Sequence, residues 1–240
     1  MTSRIFSALA RLIALGVIGL ALGGCALGPD RRDPFEPFNR GALRFNDEVD
    51  TVVLKPVAIV YRDVVPALVR TGVNNFFGNL GDAWSAVNNL LQFKPRNAAE
   101  NIMRVSINTV LGLGGVLDVA SETGLERHRE DFGQTLGRWG VPPGPYLVLP
   151  VFGPSTVRDA ASLLVDRQGD PVRASEPASA RTALYSLRVL DTRATLLRAS
   201  NVLDQVALDR YTFIRDAHLQ RRQAEIVEGE PETPADEPQE

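Results

Sequence analysis

The sequence predicts an all-α fold, and three observations carry that prediction. Apolar residues recur at three- and four-residue spacing through most of the 240-residue chain. Helix-ending signals at Pro95, Gly112-Leu113-Gly114-Gly115 and Gly169-Asp170-Pro171 divide the pattern into segments of helical length. Strand-like runs are scarce: Leu147-Val148-Leu149 is too short to found a sheet.

The first segment, residues 1–24, belongs to targeting. Arg4 and Arg11 accompany an apolar stretch from Leu12 to Leu22, the layout of a secretory signal peptide. At ~1.5 Å per residue that stretch covers only about half of a bilayer's hydrocarbon core. Leu22-Gly23-Gly24-Cys25 resembles the lipobox of bacterial lipoproteins, in which the cysteine thiol takes a diacylglyceryl group and becomes the mature N-terminus. An ordinary signal peptide with an incidental cysteine is the alternative. Ala26, rather than an acidic residue, follows the cysteine; by resemblance to lipoprotein sorting rules this favours the outer membrane. Two or three acyl chains would hold firmly where one holds only marginally. A polar, proline-rich tether spans residues 25–34, and a helical domain spans 35–224.

Within that domain, Leu80, Ala83, Trp84, Val87, Leu90 and Leu91 share one face of a helix over Asn79 to Phe93; Asp82, Ser85, Asn89 and Gln92 line the other. A second helix over Ala98 to Leu111 has only a narrow polar strip of Asn101, Arg104 and Asn108, so its wide apolar arc faces either deep protein interior or lipid. Gly112 to Pro154 is an irregular Gly/Pro-rich central segment with one short helix over Asp131 to Val141. Ser155 reads as the cap of the next helix, with Arg158-Asp159 as a helix-start ion pair. Two long amphipathic helices follow, one carrying Leu184, Leu187, Leu190, Ala194 and Leu197, the other Leu203, Val206, Ala207, Ile214 and Ala217. Beyond Arg222 come seven acidic residues, three prolines and no base, so residues 225–240 read as a disordered acidic tail.

Composition is poor in catalytic material. One cysteine excludes a disulfide framework, and its acylation leaves no thiol for metal or nucleophile; there are two histidines, His128 and His218. A net charge of −3 argues against nucleic acid as a partner. Gly112-Leu113-Gly114-Gly115 lacks the spacing of a phosphate cradle, and Gly-Pro-Ser155-Thr-Val is no nucleophile elbow. His128, Glu130 and Asp131 can be drawn as an acid–base cluster, but their charged surroundings read as solvated surface. Trp84, Trp139 and Phe76 read as core. No catalytic residue, metal site or cofactor is expected.

From Asp33-Pro34-Phe35-Glu36-Pro37-Phe38-Asn39-Arg40 onward the motifs become specific: Phe45-Asn46, Asn75-Phe76, Asp131-Phe132-Gly133-Gln134, Trp139-Gly140-Val141, Gly144-Pro145-Tyr146 and Arg158-Asp159. Together these resemble the MlaA (VacJ) family of outer-membrane lipoproteins, over roughly Asp33 to Arg222. The resemblance implies a ring-like helical body in the inner leaflet of the outer membrane, bound to a trimeric porin. Phospholipid misplaced in the outer leaflet would pass through its amphipathic channel to a periplasmic lipid carrier of MlaC type. Phe45 and Asn46, with Gly112, Gly114 and Gly115, are the candidates for gating that path; helix packing and tight backbone packing are the plainer alternatives. Two other classes compete, a lipoprotein enzyme acting on phospholipid or peptidoglycan and a structural porin-associated lipoprotein.

Overall fold

A computed structural model describes residues 30–206 and 209–227, without the side chains of 201–206. The signal segment, Cys25 and the acidic residues past 227 lie outside the described residues. Among those described, the fold is all-α apart from one small hairpin. The body takes in Asp30 to Pro34, which the sequence assigned to the tether: Asp33 is fully buried, and the Tyr146 N–H donates to the Arg32 carbonyl.

Helix α1 (Glu36–Val49) runs without a break through a π-turn (Asp50–Leu54) into α2 (Lys55–Val64). Pro56 has no N–H to give the preceding turn, and the wider π-turn accommodates that loss. Val65, forced to an extended conformation ahead of Pro66, ends α2. Helix α3 (Ala67–Leu91) begins twelve residues before the apolar pattern that announced it. It closes in a Schellman turn, with Lys94 N–H bonded to the Asn89 carbonyl and Phe93 in the left-handed region at φ 60°. Pro95 then opens α4 (Pro95–Val110), where its missing N–H costs nothing.

Short α5 (Val119–Glu122) is capped by Asp118, and α6 (Phe132–Arg138) by a reciprocal capping box between Asp131 and Gln134. The structure adds a sheet the sequence did not predict: β1 (Tyr146–Leu149) pairs antiparallel with β2 (Gly153–Thr156). Side chains from α1 hold this short ladder in place, so it does not rely on its own length. Helix α7 (Val157–Gly169) starts one residue later than read, because Thr156 and not Ser155 accepts the Asp159 N–H. A 3₁₀ turn (Pro171–Ala174) leads to α8 (Ala178–Val206), which absorbs Leu203 and Val206; α9 (Arg210–Val227) runs beyond the predicted start of the tail. Glu225 is therefore a structural residue: Gln134 and Arg222 both donate to it.

The faces of α3 and α4 settle how these helices pack. Asn79, Asp82, Ser85, Asn88 and Asn89 of α3 are buried, as are Asn101, Arg104 and Asn108 of α4. Val87, Leu90, Ile102, Met103 and Val110 are exposed. Polarity is inverted: the polar stripes face inward, onto each other at Arg104–Asp82 and onto residues 118–135 elsewhere, and the apolar arcs face out. What apolar core exists is small, one cluster around Ala42, Tyr146, Val148 and Tyr211, another around Ala58, Ala194 and Leu197. Trp139, read as core, is half exposed.

Candidate functional site

Hydrogen bonding is what makes a polar interior tenable, since a buried polar group without a partner is costly. Arg104, only 1% exposed, is the hub of the first network. It donates to Asp82 at 3.3 Å, to both oxygens of Asp118 at 2.8 and 3.0 Å, and to the Leu125 carbonyl at 2.6 Å. Asn108 donates to Asp118 and accepts the Ala120 N–H, and Arg127 adds a second cation to Asp82. Burial pushes the Asp118 carboxyl up, but bonds from Ser121, Asn108 and Arg104 outweigh it and hold its pKa at about 2.

The Gly112–Gly115 turn closes against this network. Gly115 donates to the Asn108 carbonyl and adopts φ +94°, and a Cβ there would sit 2.6 Å from the Asn79 amide. At Gly112 a Cβ would meet the Leu117 carbonyl at 2.2 Å, whereas Gly114 faces open space. Close backbone packing thus fixes two of the three glycines.

Of the acid–base cluster read as solvated surface, Glu130 is instead tied into the interior, while the Asp131 side chain is 41% exposed. Glu130 pairs with Lys94 at 2.8 Å, both side chains under 9% exposed, and Gln92 donates to Glu130 and Thr135. His128 meets Glu100 at 2.7 Å. That pair borders an open polar recess of about 370 Å³ formed by the start of α4 and residues 124–128.

Two further clusters join distant segments. Arg222 of α9 donates to both oxygens of Asp131, at 2.8 and 2.9 Å, and to Asp159 at 3.0 Å. Gly133 has to be glycine for this approach, since a Cβ would lie 2.7 Å from the Asp159 carboxylate. Arg158 pairs with Asp159 at 2.9 Å, the predicted helix-start contact, and Phe132 stacks edge-on with Trp139. On the other side Asn39 donates to Asp33 and to the Tyr146 carbonyl and accepts the Val148 N–H, locking β1 onto α1. Tyr211 and Arg215 donate to Asp33, and Arg40 bonds Asp209 while lying 4.3 Å over the Tyr211 ring. Gly144 reaches φ +68° just ahead of the strand, and Pro145 accepts the Val157 N–H. Asn75 donates to the Val116 carbonyl and Phe76 packs on Phe77. Pro34 forms the turn that leads into α1.

Asn46 donates to the Leu149 carbonyl and accepts the Val151 N–H, so it pins the tip of the hairpin, while neighbouring Phe45 is exposed. Asn46→Ala is expected to raise amide exchange at 149–152 selectively, at a stability loss of about 1 kcal/mol. Hydrogen exchange by residue and a melting curve in detergent check this.

His218 supplies a pH signature. Burial, and then the charges of Arg221 and Arg222, lower its pKa from 6.5 to about 4. An unfolded chain takes up this proton near pH 6.5 and the folded one only near pH 4, so acidification across that interval favours unfolding. The melting temperature should fall between those values and His218→Phe should flatten the fall. Asp118, already held at about 2, loses its contribution only below the ordinary carboxylate range.

Sequence reasoning missed Arg222, Tyr211, Arg215, Asp82, Asp118 and Lys94 as site-forming residues. The isolated strip Asn101, Arg104, Asn108 on an apolar helix was the available signal. Among the described residues no helix is long and apolar enough to cross a membrane, and no cluster of three His, Cys, Asp or Glu is placed to hold a metal.

Around the networks runs a belt of exposed aliphatic side chains: Val52, Val60, Val64 and Leu68 at one end, Val110, Leu111 and Leu113 at another. Large exposed apolar areas mark surfaces that meet a membrane or a partner. Internally bonded helices with polar stripes inward and aliphatic arcs outward are the arrangement that a hydrocarbon environment demands. The MlaA lipoprotein family model matches residues 31–225, and the chain belongs to that family. The chain is 38% identical to the intermembrane phospholipid transport system lipoprotein MlaA of Escherichia coli K12, covering 88% of this chain and 86% of that one. The protein of that name from Haemophilus influenzae is 34% identical, with 88% of each covered. A chain solved in work on the structural basis for maintenance of bacterial outer membrane lipid asymmetry superposes with a TM-score of 0.67 at 35% identity, over 82% of this chain and all of that one.

Proposed function

We propose that this chain is a lipid-anchored component of the outer membrane that removes mislocalised phospholipid from the outer leaflet. The lipid passes through an amphipathic path in a ring-like body to a periplasmic carrier of MlaC type, with a trimeric porin as the membrane partner. The observation that carries this reading is the inverted polarity of α3 and α4, together with relatives named for phospholipid transport. A two-tailed lipid with a charged head needs both apolar and polar wall, and the exposed aliphatic arcs beside polar strips on α3 and α4 support such a path. The step is transfer without bond-making; Cys25 serves as the anchor.

Deleting the gene should raise surface phospholipid, measured with an amine-reactive probe that does not cross the membrane, and sensitise cells to detergent. Wild-type complementation should reverse both effects, and Cys25→Ala should not. Unchanged surface phospholipid in the deletion would sink the proposal. An enzyme would convert labelled phospholipid chemically, whereas a transporter returns it intact.

Phe45, Asn46 and the Gly112–Gly115 turn are the proposed gating elements. The Asn46 tie to the hairpin tip supports this for the first pair. If the pair holds the path at rest, its removal should leave stable protein and drive surface phospholipid above the level of the deletion. A phenotype equal to the deletion at equal protein level would count against gating.

A further inference from the structure

Between α3 and α4 a groove of about 240 Å³ opens on the outer surface of the body. Ala83 and Ala86 form its floor, and Val87, Leu90, Ile102 and Val105 its walls. Ser106 sits at the rim, but its hydroxyl donates to the Ile102 carbonyl at 2.8 Å, so the groove presents no charge, no aromatic ring and no unmet hydrogen-bonding group. The small side chains on α3 create it: larger ones at 83 and 86 would bring the outward face flush.

We propose that this groove holds one acyl chain of a membrane phospholipid. The inference deepens the transport reading and rests on it. Three observations select this occupant. The first is size: about 240 Å³ is too little for a whole two-tailed lipid and suits part of one chain. The second is chemistry: the lining offers none of the aromatic, charged or hydrogen-bonding anchors on which protein partners depend. The third is continuity, since Leu91 and Phe93 past one end of the groove and Met103 beside Ile102 extend the same exposed apolar surface. A chain lying there would bury methylenes on both sides and satisfy the walls without desolvating any polar atom.

The test uses full-length, lipid-anchored protein, purified in detergent, stripped of lipid and titrated with dipalmitoyl phosphatidylethanolamine under native mass spectrometry. Wild type should show a saturable adduct. Ala86→Leu, which fills the floor, should weaken it by at least about tenfold, the loss of roughly two methylene contacts. Ser106→Leu, narrowing the rim, should act the same way and carries the test if Ala86→Leu melts early. Val60→Leu, on the belt away from the groove, should leave the adduct unchanged. Competition by a single-chain lysophospholipid supports a one-chain site. An adduct indifferent to both groove variants overturns the proposal by placing the lipid elsewhere, and so does a groove-dependent dimer without lipid. A groove that holds no lipid leaves the transport reading standing, whereas normal surface phospholipid in the deletion strain removes that reading whatever the groove binds.

Discussion

Arg104→Met is expected to give the largest loss of stability of any single substitution in this chain. The side chain is close to fully buried and bonds two carboxylates, Asp82 and Asp118, that come from elements 22 and 14 positions away. Removing the cation leaves Asp82 with Arg127 alone and takes from Asp118 the guanidinium that meets both of its oxygens. Breaking a buried pair this way costs about 3–5 kcal/mol, against a total of about 5–15 kcal/mol for a typical domain. The variant should accumulate poorly and melt far below wild type in detergent. Arg104→Lys keeps the charge but not the fork that serves Asp82, Asp118 and the Leu125 carbonyl together, so it should fall between the two. A melting temperature for Arg104→Met within a few degrees of wild type would mean that the network contributes little.

Charging the belt is the second large effect, and its sign separates lipid from water as the surroundings. Val64, Leu68 and Val110 are 74, 87 and 78% exposed. On a protein surrounded by water, lysines at such positions change stability by less than about 0.5 kcal/mol each. At the centre of a bilayer a charge costs about 2.5–3.5 kcal/mol, less where the side chain reaches the interface. The triple variant Val64→Lys, Leu68→Lys, Val110→Lys should therefore melt well below wild type in lipid nanodiscs and accumulate less in membranes. A matched triplet at exposed polar positions, Gln168, Gln220 and Glu122, should behave like wild type. Equal melting of the two triplets would return the belt to water.

The sequence located the helices far better than it oriented them. Periodicity shows that two faces differ; it does not show which one is inside. Leu80 to Leu91 and Ile102 to Leu111 were legible as apolar arcs, and only the partners of Asp82, Arg104 and Asn108 reveal that the opposite strip is the interior. The small sheet was illegible for a related reason. Four residues of strand do not stand alone, and the bonds that hold β1 come from Asn39 and Asn46, more than a hundred positions earlier. Glu130 looked solvated because its neighbours in sequence are charged, yet its partners Lys94 and Gln92 lie 36 and 38 positions back. Local signals did better. The stop at Gly169-Asp170-Pro171 and the Arg158–Asp159 pair rest on near neighbours, and both stand where they were read; the short helix read from Asp131 is there too, from Phe132 to Arg138.

The cluster around Asp33 has a consequence for the order in which the body assembles. Its carboxylate takes bonds from Tyr211 and Arg215, 178 and 182 positions further along. Burial and then Asp33 raise the Tyr211 pKa, so the phenol stays a donor at any physiological pH. The Asp33 seat beneath α1 is complete only when α9 has arrived, and the same Asn39 that donates to Asp33 also registers β1. Contacts of such long range form late and slow the final step of folding. Until then Asp33 lacks its Tyr211 and Arg215 donors and the small cluster of Ala42, Tyr146 and Val148 stands open where Tyr211 will close it, so the hairpin end of the body is the last part to become tight.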